Sequence, residues 1–138
     1  MGRFEPPESE AGRPFWEATR RRSFELPWCK RCDKPFWYPR EFCPSCLSPA
    51  LEWRVASGAG VVYACSVMPK PAHPGMAERT PYTVALVELA EGPRLMTNIV
   101  GVDPDTVAVG MPVRLVWEGL SDGRNLPVFE PSAEREER

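Results

Sequence analysis

Four cysteines constrain this chain more than any other feature. They stand in CKRCDKPFWYPREFCPSC, residues 29–46, as two C-x2-C pairs separated by ten residues. Each C-x2-C turn doubles the chain back so that two sulfurs reach one ion, and two such turns supply a closed tetrahedral shell with bonds of ~2.3 Å. Cys29, Cys32, Cys43 and Cys46 are therefore the candidate ligands. The gap is shorter than the ~15–20 residues of related patterns, but a tight hairpin spans it. A shell filled by four protein sulfurs leaves no place for water or substrate, so the metal it implies is structural, with zinc the leading candidate. Iron in an electron-transfer site and a thioredoxin-type dithiol are the other readings. The dithiol wants a βαβ context that this sequence lacks. Lys30, Arg31 and Lys34 lie beside the cluster, where they favour thiolate over thiol and offset its negative charge.

A disulfide framework fits poorly. Five cysteines is an odd number, and the opening MGRFEPPESEAG has no apolar core of a secretion signal. The expected compartment is the cytoplasm, where thiols stay reduced. The longest apolar run, VVYACSVM, is too short to span a bilayer, so no membrane partner is expected. Charge is unevenly spread. Residues 13–40 carry eight basic and three acidic side chains, whereas residues 41–138 carry eight basic and thirteen acidic. The basic end is the cysteine end.

A length of 138 residues suits one domain with a small appendage. Residues 1–12 are polar and proline-bearing and read as a loose leader, and residues 132–138 as a charged tail that frays. Within 13–28, PFWEATRRRSFEL predicts a helix of two to three turns. Pro14 opens it, Phe15, Trp16, Thr19 and Phe24 lie on its apolar side, and Arg20, Arg21 and Arg22 form a solvated face. Residues 29–49 are the metal ribbon. From 50 to 131 the pattern changes to short segments rich in Val, Leu, Tyr and Trp, at 51–57, 60–68, 81–89, 94–101, 112–119 and 125–131. Turns separate them and no long helical pattern intervenes, which predicts a mainly β unit, a small five- to six-stranded barrel or a sandwich. ASGAG offers glycines for a sharp bend, and Asp103 a cap for one helical turn.

No catalytic constellation is apparent. Alternation along VVYACSV places Cys65 with Val61, Tyr63 and Val67 on one face and predicts an inert core thiol. His73 is the sole histidine, in the proline-rich loop PKPAHPGMAERTP, and reads as solvent-facing. Phe36, Trp37 and Tyr38 pack the ribbon or bridge it to the barrel, with part of the strip free for a partner or ligand.

The order PFWEATRRR, CKRC…CPSC, GAGVVYACSV, PYTVALVELAEGPRLMTNIVG, VGMPVRLVWE and LPVFEP resembles the zinc-ribbon and OB-fold acyl-CoA-associated proteins, once classed as a domain of unknown function. The resemblance covers residues 13–131 and implies a rubredoxin-like zinc ribbon followed by an OB barrel. It also implies a non-catalytic subunit in a hetero-oligomer with a thiolase-like partner, a thiolase, a synthase or an aldolase. That partner supplies the reacting groups while this chain holds or guides acyl-CoA, with steroid side-chain breakdown the favoured setting. The candidate contacts to acyl-CoA or partner are Arg20, Arg21, Arg22, Lys34, Trp37, Tyr38, Lys70, His73, Met76 and Arg79, with Trp37, Tyr38 and Met76 lining an apolar groove. The alternative is a nucleic-acid binder, since ribbons and OB barrels both serve that purpose. A β unit of net negative charge and a pI near 5.5 oppose it.

Overall fold

The computed structural model describes residues 5–70 and 74–132. In chain order these form helix α1 (Arg13–Arg20), strands β1 (Glu25–Cys29), β2 (Lys34–Pro35), β3 (Leu51–Val55) and β4 (Ala59–Met68), a 3-10 helix (Pro74–Arg79), β5 (Tyr82–Leu89), β6 (Arg94–Ile99), a second 3-10 helix (Pro104–Thr106), β7 (Pro112–Gly119) and β8 (Asn125–Pro131). The first three strands make a sheet ordered β2-β1-β3, and the other five close a barrel in the order β4-β5-β6-β8-β7. The mainly β architecture with one N-terminal helix is as the sequence predicts.

The segment 51–57 departs from the expectation that it opens the barrel. It pairs antiparallel with β1, from Glu25 opposite Val55 to Cys29 opposite Leu51. None of the five β3 residues is buried, so this strand has no side chains with which to wall a barrel. Gly58, at φ +82°, turns the chain away from β3 and into β4.

Helix α1 has the expected length of two turns but ends before Arg21, Arg22 and Phe24. Arg22 takes a left-handed conformation at φ 58°, and the amides of Arg22 and Ser23 return to the carbonyls of Thr19 and Ala18 at 2.9 and 3.0 Å. These paired bonds close the last turn, so only Arg20 of the three arginines is helical and no three-arginine face forms. Phe15, Ala18 and Thr19 are buried. The amide of Asn125 donates to Thr19 Oγ1 at 3.3 Å and Asn125 Nδ2 to the Thr19 carbonyl at 2.8 Å, which fastens the helix to the start of β8.

Strict alternation buries Thr83, Ala85, Val87 and Leu89 of β5. Their β4 partners are Val67, Cys65, Val62 and Gly60, with the register shifting between Val62 and Ala64. That bulge corrects the expected placement of Cys65. Val61 and Tyr63 are exposed, whereas Cys65 beyond the bulge is half-buried against the core. At Gly60 a Cβ would sit 2.7 Å from the Glu88 carbonyl oxygen and from Val87, so β4 and β5 approach closely only because no side chain is there.

Two smaller expectations also find their answer. Asp103 caps its 3-10 turn by accepting from the Asp105 amide at 3.0 Å. Where it is described, the leader touches the β7–β8 turn: the Glu5 carboxylate accepts from the Ser121 amide at 2.9 Å and the Ser121 hydroxyl at 2.8 Å. Residues 1–4 and 133–138 lie outside the described residues.

Candidate metal centre and the adjoining groove

The two C-x2-C turns have the same local construction. Cys29 and Cys43 each open a turn, and their carbonyls accept from the amides of Asp33 and Leu47 at 2.7 and 2.8 Å. Asp33 and Leu47, each directly after the second cysteine of its pair, both adopt left-handed backbone at φ 59° and 64°. Backbone amides also point at sulfur, with Cys32 N 3.2 Å from Cys29 Sγ and Ser45 N 3.3 Å from Cys43 Sγ. β1 and β3 pair beside the first turn, and the Lys30 amide donates to the Ala50 carbonyl at 2.9 Å, which closes the ribbon at its base.

All four sulfurs lie within 4.8 Å of one another. Cys29 and Cys46 are 3.6 Å apart and Cys32 and Cys43 3.9 Å, close to the ~3.7 Å edge of a tetrahedron around zinc with bonds of ~2.3 Å. Without an ion the thiols contend for protons. The Cys46 backbone amide, with further donors, holds Cys43 down to about 6, and the hydrogen bond to the Cys46 sulfur, with burial, pushes Cys32 up to about 12. Donor type, spacing and the amide–sulfur bonds all suit a dication that takes thiolates. Lys30, Arg31 and Lys34 are exposed around the cluster.

Beside the ribbon lies an apolar groove of about 340 Å³. Trp37 and Tyr38 come from the ribbon, Phe15 and Trp16 from α1, Met96 from β6 and Pro127 from β8. Trp37 packs edge-on against Phe15 with centroids 4.8 Å apart, so the aromatic strip joins the ribbon to α1 and through it to the shared core. Its Nε1 is buried with no acceptor among the described residues. Tyr38 and Met96 are 52% and 58% exposed at the rim. Sequence reasoning missed Trp16, Met96 and Pro127 as groove residues. Pro127 was the one available signal, since proline inside a strand marks interrupted pairing.

The remaining predicted contacts are scattered. Met76 is buried in a separate cavity of about 210 Å³ that shares no residue with the groove, so Trp37, Tyr38 and Met76 do not line one site. A proline-rich connection of the length between β4 and β5 can reach a different barrel face from the ribbon, and linear order gives no guide to this. Arg79 lines that second cavity and pairs with Glu118 at 2.6 Å. Arg20 Nη1 donates to the Asp122 carbonyl at 2.6 Å, and Arg21 stands 3.6 Å from Glu25. Arg22, Lys34 and Lys70 are exposed, and His73 lies outside the described residues. Among the described residues no helix is long and apolar enough to cross a membrane.

Residues 16–52 match the family described as "ChsH2, rubredoxin-like zinc ribbon domain", and residues 53–118 "ChsH2, C-terminal OB-fold domain". The chain is 43% identical over 124 residues to a "Probable enoyl-CoA hydratase alpha subunit" of Thermomonospora curvata, covering 89% of this chain and 38% of that protein. It is 39% identical over 84 residues to the "3-oxo-4,17-pregnadiene-20-carboxyl-CoA hydratase alpha subunit" of Mycobacterium tuberculosis, covering 61% of this chain and 26% of that protein. The chain thus spans well under half the length of these two relatives. A solved structure titled "Ltp2-ChsH2(DUF35) aldolase" superposes with a TM-score of 0.82 at 38% identity, over 92% of this chain and 98% of the matched one.

Proposed function

Because the chain belongs to the ChsH2 (DUF35) family, in which a rubredoxin-like zinc ribbon precedes an OB fold, we propose that it is a non-catalytic subunit completing a thiolase-like enzyme that acts on acyl-CoA. The observation that carries this reading is the near-complete match to the ChsH2(DUF35) chain of an aldolase whose title names a second component, Ltp2. The hydratase names belong to proteins of which this chain spans only a part, so hydratase chemistry is not carried over. The pregnadiene-carboxyl-CoA name of one relative favours a steroid thioester as the substrate class.

The parts of the chain divide the work. Cys29, Cys32, Cys43 and Cys46 hold zinc, which when bound supplies rigidity to a segment that has little core of its own. Lys30, Arg31 and Lys34 give the ribbon a positive surface that attracts the phosphates of CoA toward the shared site. Arg20 and Arg21 contribute less, since Glu17 and Glu25 stand within 3.7 and 3.6 Å of them. Trp37 and Tyr38 meet the partner rather than a reacting atom.

The test is co-expression with a thiolase-like protein of the kind named in that aldolase, Ltp2. A stoichiometric complex containing one zinc per copy of this chain, and cleaving an acyl-CoA that neither component cleaves alone, is the expected result. Turnover by this chain unaided, or zinc-free folded protein, sinks the proposal.

A further inference from the structure

Granting the protein partner proposed above, we propose that its contact includes an extended segment lying in the 340 Å³ groove and pairing its backbone with the open edge of β6. The edge is open because the barrel seam between β6 and β8 is zipped at one end only. Among the described residues these strands are matched in parallel at Ile99 and Phe129 alone, with the Val100 amide donating to the Phe129 carbonyl at 2.8 Å.

Backbone parity shows which groups are left. Backbone groups alternate sides along a strand. The Leu89 amide donates to the Pro93 carbonyl at 2.9 Å, so odd-numbered residues of β6 turn toward β5, and the Val100 bond turns even-numbered ones toward β8. Arg94 and Met96 therefore aim their N–H and C=O groups at the seam. On β8, the Leu120 amide donates to Arg124 and the Ser132 amide to Pro112, so even-numbered residues face β7 and odd-numbered ones face β6. Before Phe129, residues 125 and 127 thus face β6, but the Asn125 amide goes to Thr19 Oγ1 and residue 127 is proline, which has no N–H. The Thr97 hydroxyl bridges the gap by donating to the Pro127 carbonyl at 3.0 Å.

The groove sits over this gap, lined by Leu95 and Met96 on one side and Leu126 and Pro127 on the other. An unpaired strand edge is a template for another chain. An incoming strand satisfies the edge with its main chain and places alternate side chains against Trp16, Trp37 and Tyr38. A lone acyl chain uses the rings but leaves the edge unpaired, which is why a peptide is the better occupant.

The experiment compares residue-resolved hydrogen exchange in the isolated chain and in its complex with the co-expressed thiolase-like partner. The expected result is that the Met96 amide slows by about tenfold or more in the complex, whereas Leu95 and Thr97, already bonded to β5, change less. Met96→Pro removes the seam-side N–H, fixes the local φ and loses the side chain, so it weakens capture of the partner by about tenfold or more while one zinc per chain is retained, whereas Met96→Leu, which keeps the N–H and an apolar side chain, weakens it much less. If Met96→Pro fails to fold, exchange on the wild-type complex decides. A complex in which Met96 exchanges as in the free chain overturns this inference and leaves the subunit role standing. Slowing of Met96 by decanoyl-CoA without the partner overturns it in favour of an acyl-chain site. A wild-type chain that captures no thiolase-like partner overturns both.

Discussion

Ribbon and barrel are held together by different means. Between Lys30 and Ala50 only Phe36 and Cys43 are buried, so beyond a few backbone bonds the hairpin depends on the sulfur cluster and not on an apolar core. In β5 every second residue is buried, and Val87 and Phe129 are wholly inside a core that also takes Phe15, Phe24 and Leu26. The ribbon is an ion-closed structure leaning on a core-closed one. Thr19, Trp16 and the turn before β8 form the joint, with the Arg124 guanidinium stacked 4.7 Å from the Trp16 ring. A reagent that removes metal and a mutation that removes volume should therefore injure different halves.

Loss of a ligand is the most severe way to probe this difference. Cys43→Ser puts at risk metal-binding free energy on the order of 10 kcal/mol, and the hairpin has no core to replace it. The expected outcome is loss of stoichiometric zinc and of exchange protection over residues 30–50, with Val87 and Phe129 still protected. A chelator added to the wild type should reproduce this pattern. Collapse of the barrel along with the ribbon breaks the comparison. The converse probe is Phe129→Ala, at a fully buried position, which costs about 3–5 kcal/mol and lowers Tm by roughly 10 °C. Zinc should stay bound until the whole chain unfolds.

The ribbon was the more legible half. Cysteine spacing fixes which atoms meet, because an ion imposes its own geometry on whatever chain connects its ligands. In the barrel, PYTVALVEL reads directly as β5 through its alternation. The same rule fails in VVYACSV, since the bulge between Val62 and Ala64 reverses the faces and nothing in the local residues announces it. The sheet to which LEWRV belongs was equally hidden: β3 finds its partner in β1, across the whole metal loop. The groove draws on the leader, α1, the ribbon, β6 and β8, and so becomes visible only once all five are placed.

A smaller effect should follow from loosening the joint. Asn125→Ala removes one of two donors to the Thr19 carbonyl, the Arg22 amide remaining, at a cost of about 0.5–1.5 kcal/mol. The expected sign is faster exchange in α1 with zinc content and barrel protection unchanged. This sharpens the comparison by showing that the helix belongs to the joint rather than to either closure. Zinc loss in this variant makes the ribbon dependent on the helix and contradicts that division.

Acid offers the mildest probe of the joint. The hydrogen bond from Arg124 holds the Asp122 carboxyl below its usual range, with the nearby Arg20 adding to the effect. A group whose folded value is lowered contributes stability that is fully present above its unfolded value near ~3.9 and is lost as pH falls through the lower folded value. The carboxylate is half-exposed, so solvent screens the pair and the contribution is small. Below about pH 4 the zinc thiolates also take up protons, which lowers the stability of every variant that keeps the four cysteines. The difference in Tm between wild type and Asp122→Asn cancels that common loss. It should be largest near neutral pH and shrink below about pH 4 as the wild-type carboxylate is protonated. A constant difference through that window means that the turn is held by the Arg20 guanidinium on the Asp122 backbone carbonyl and not by the carboxylate charge.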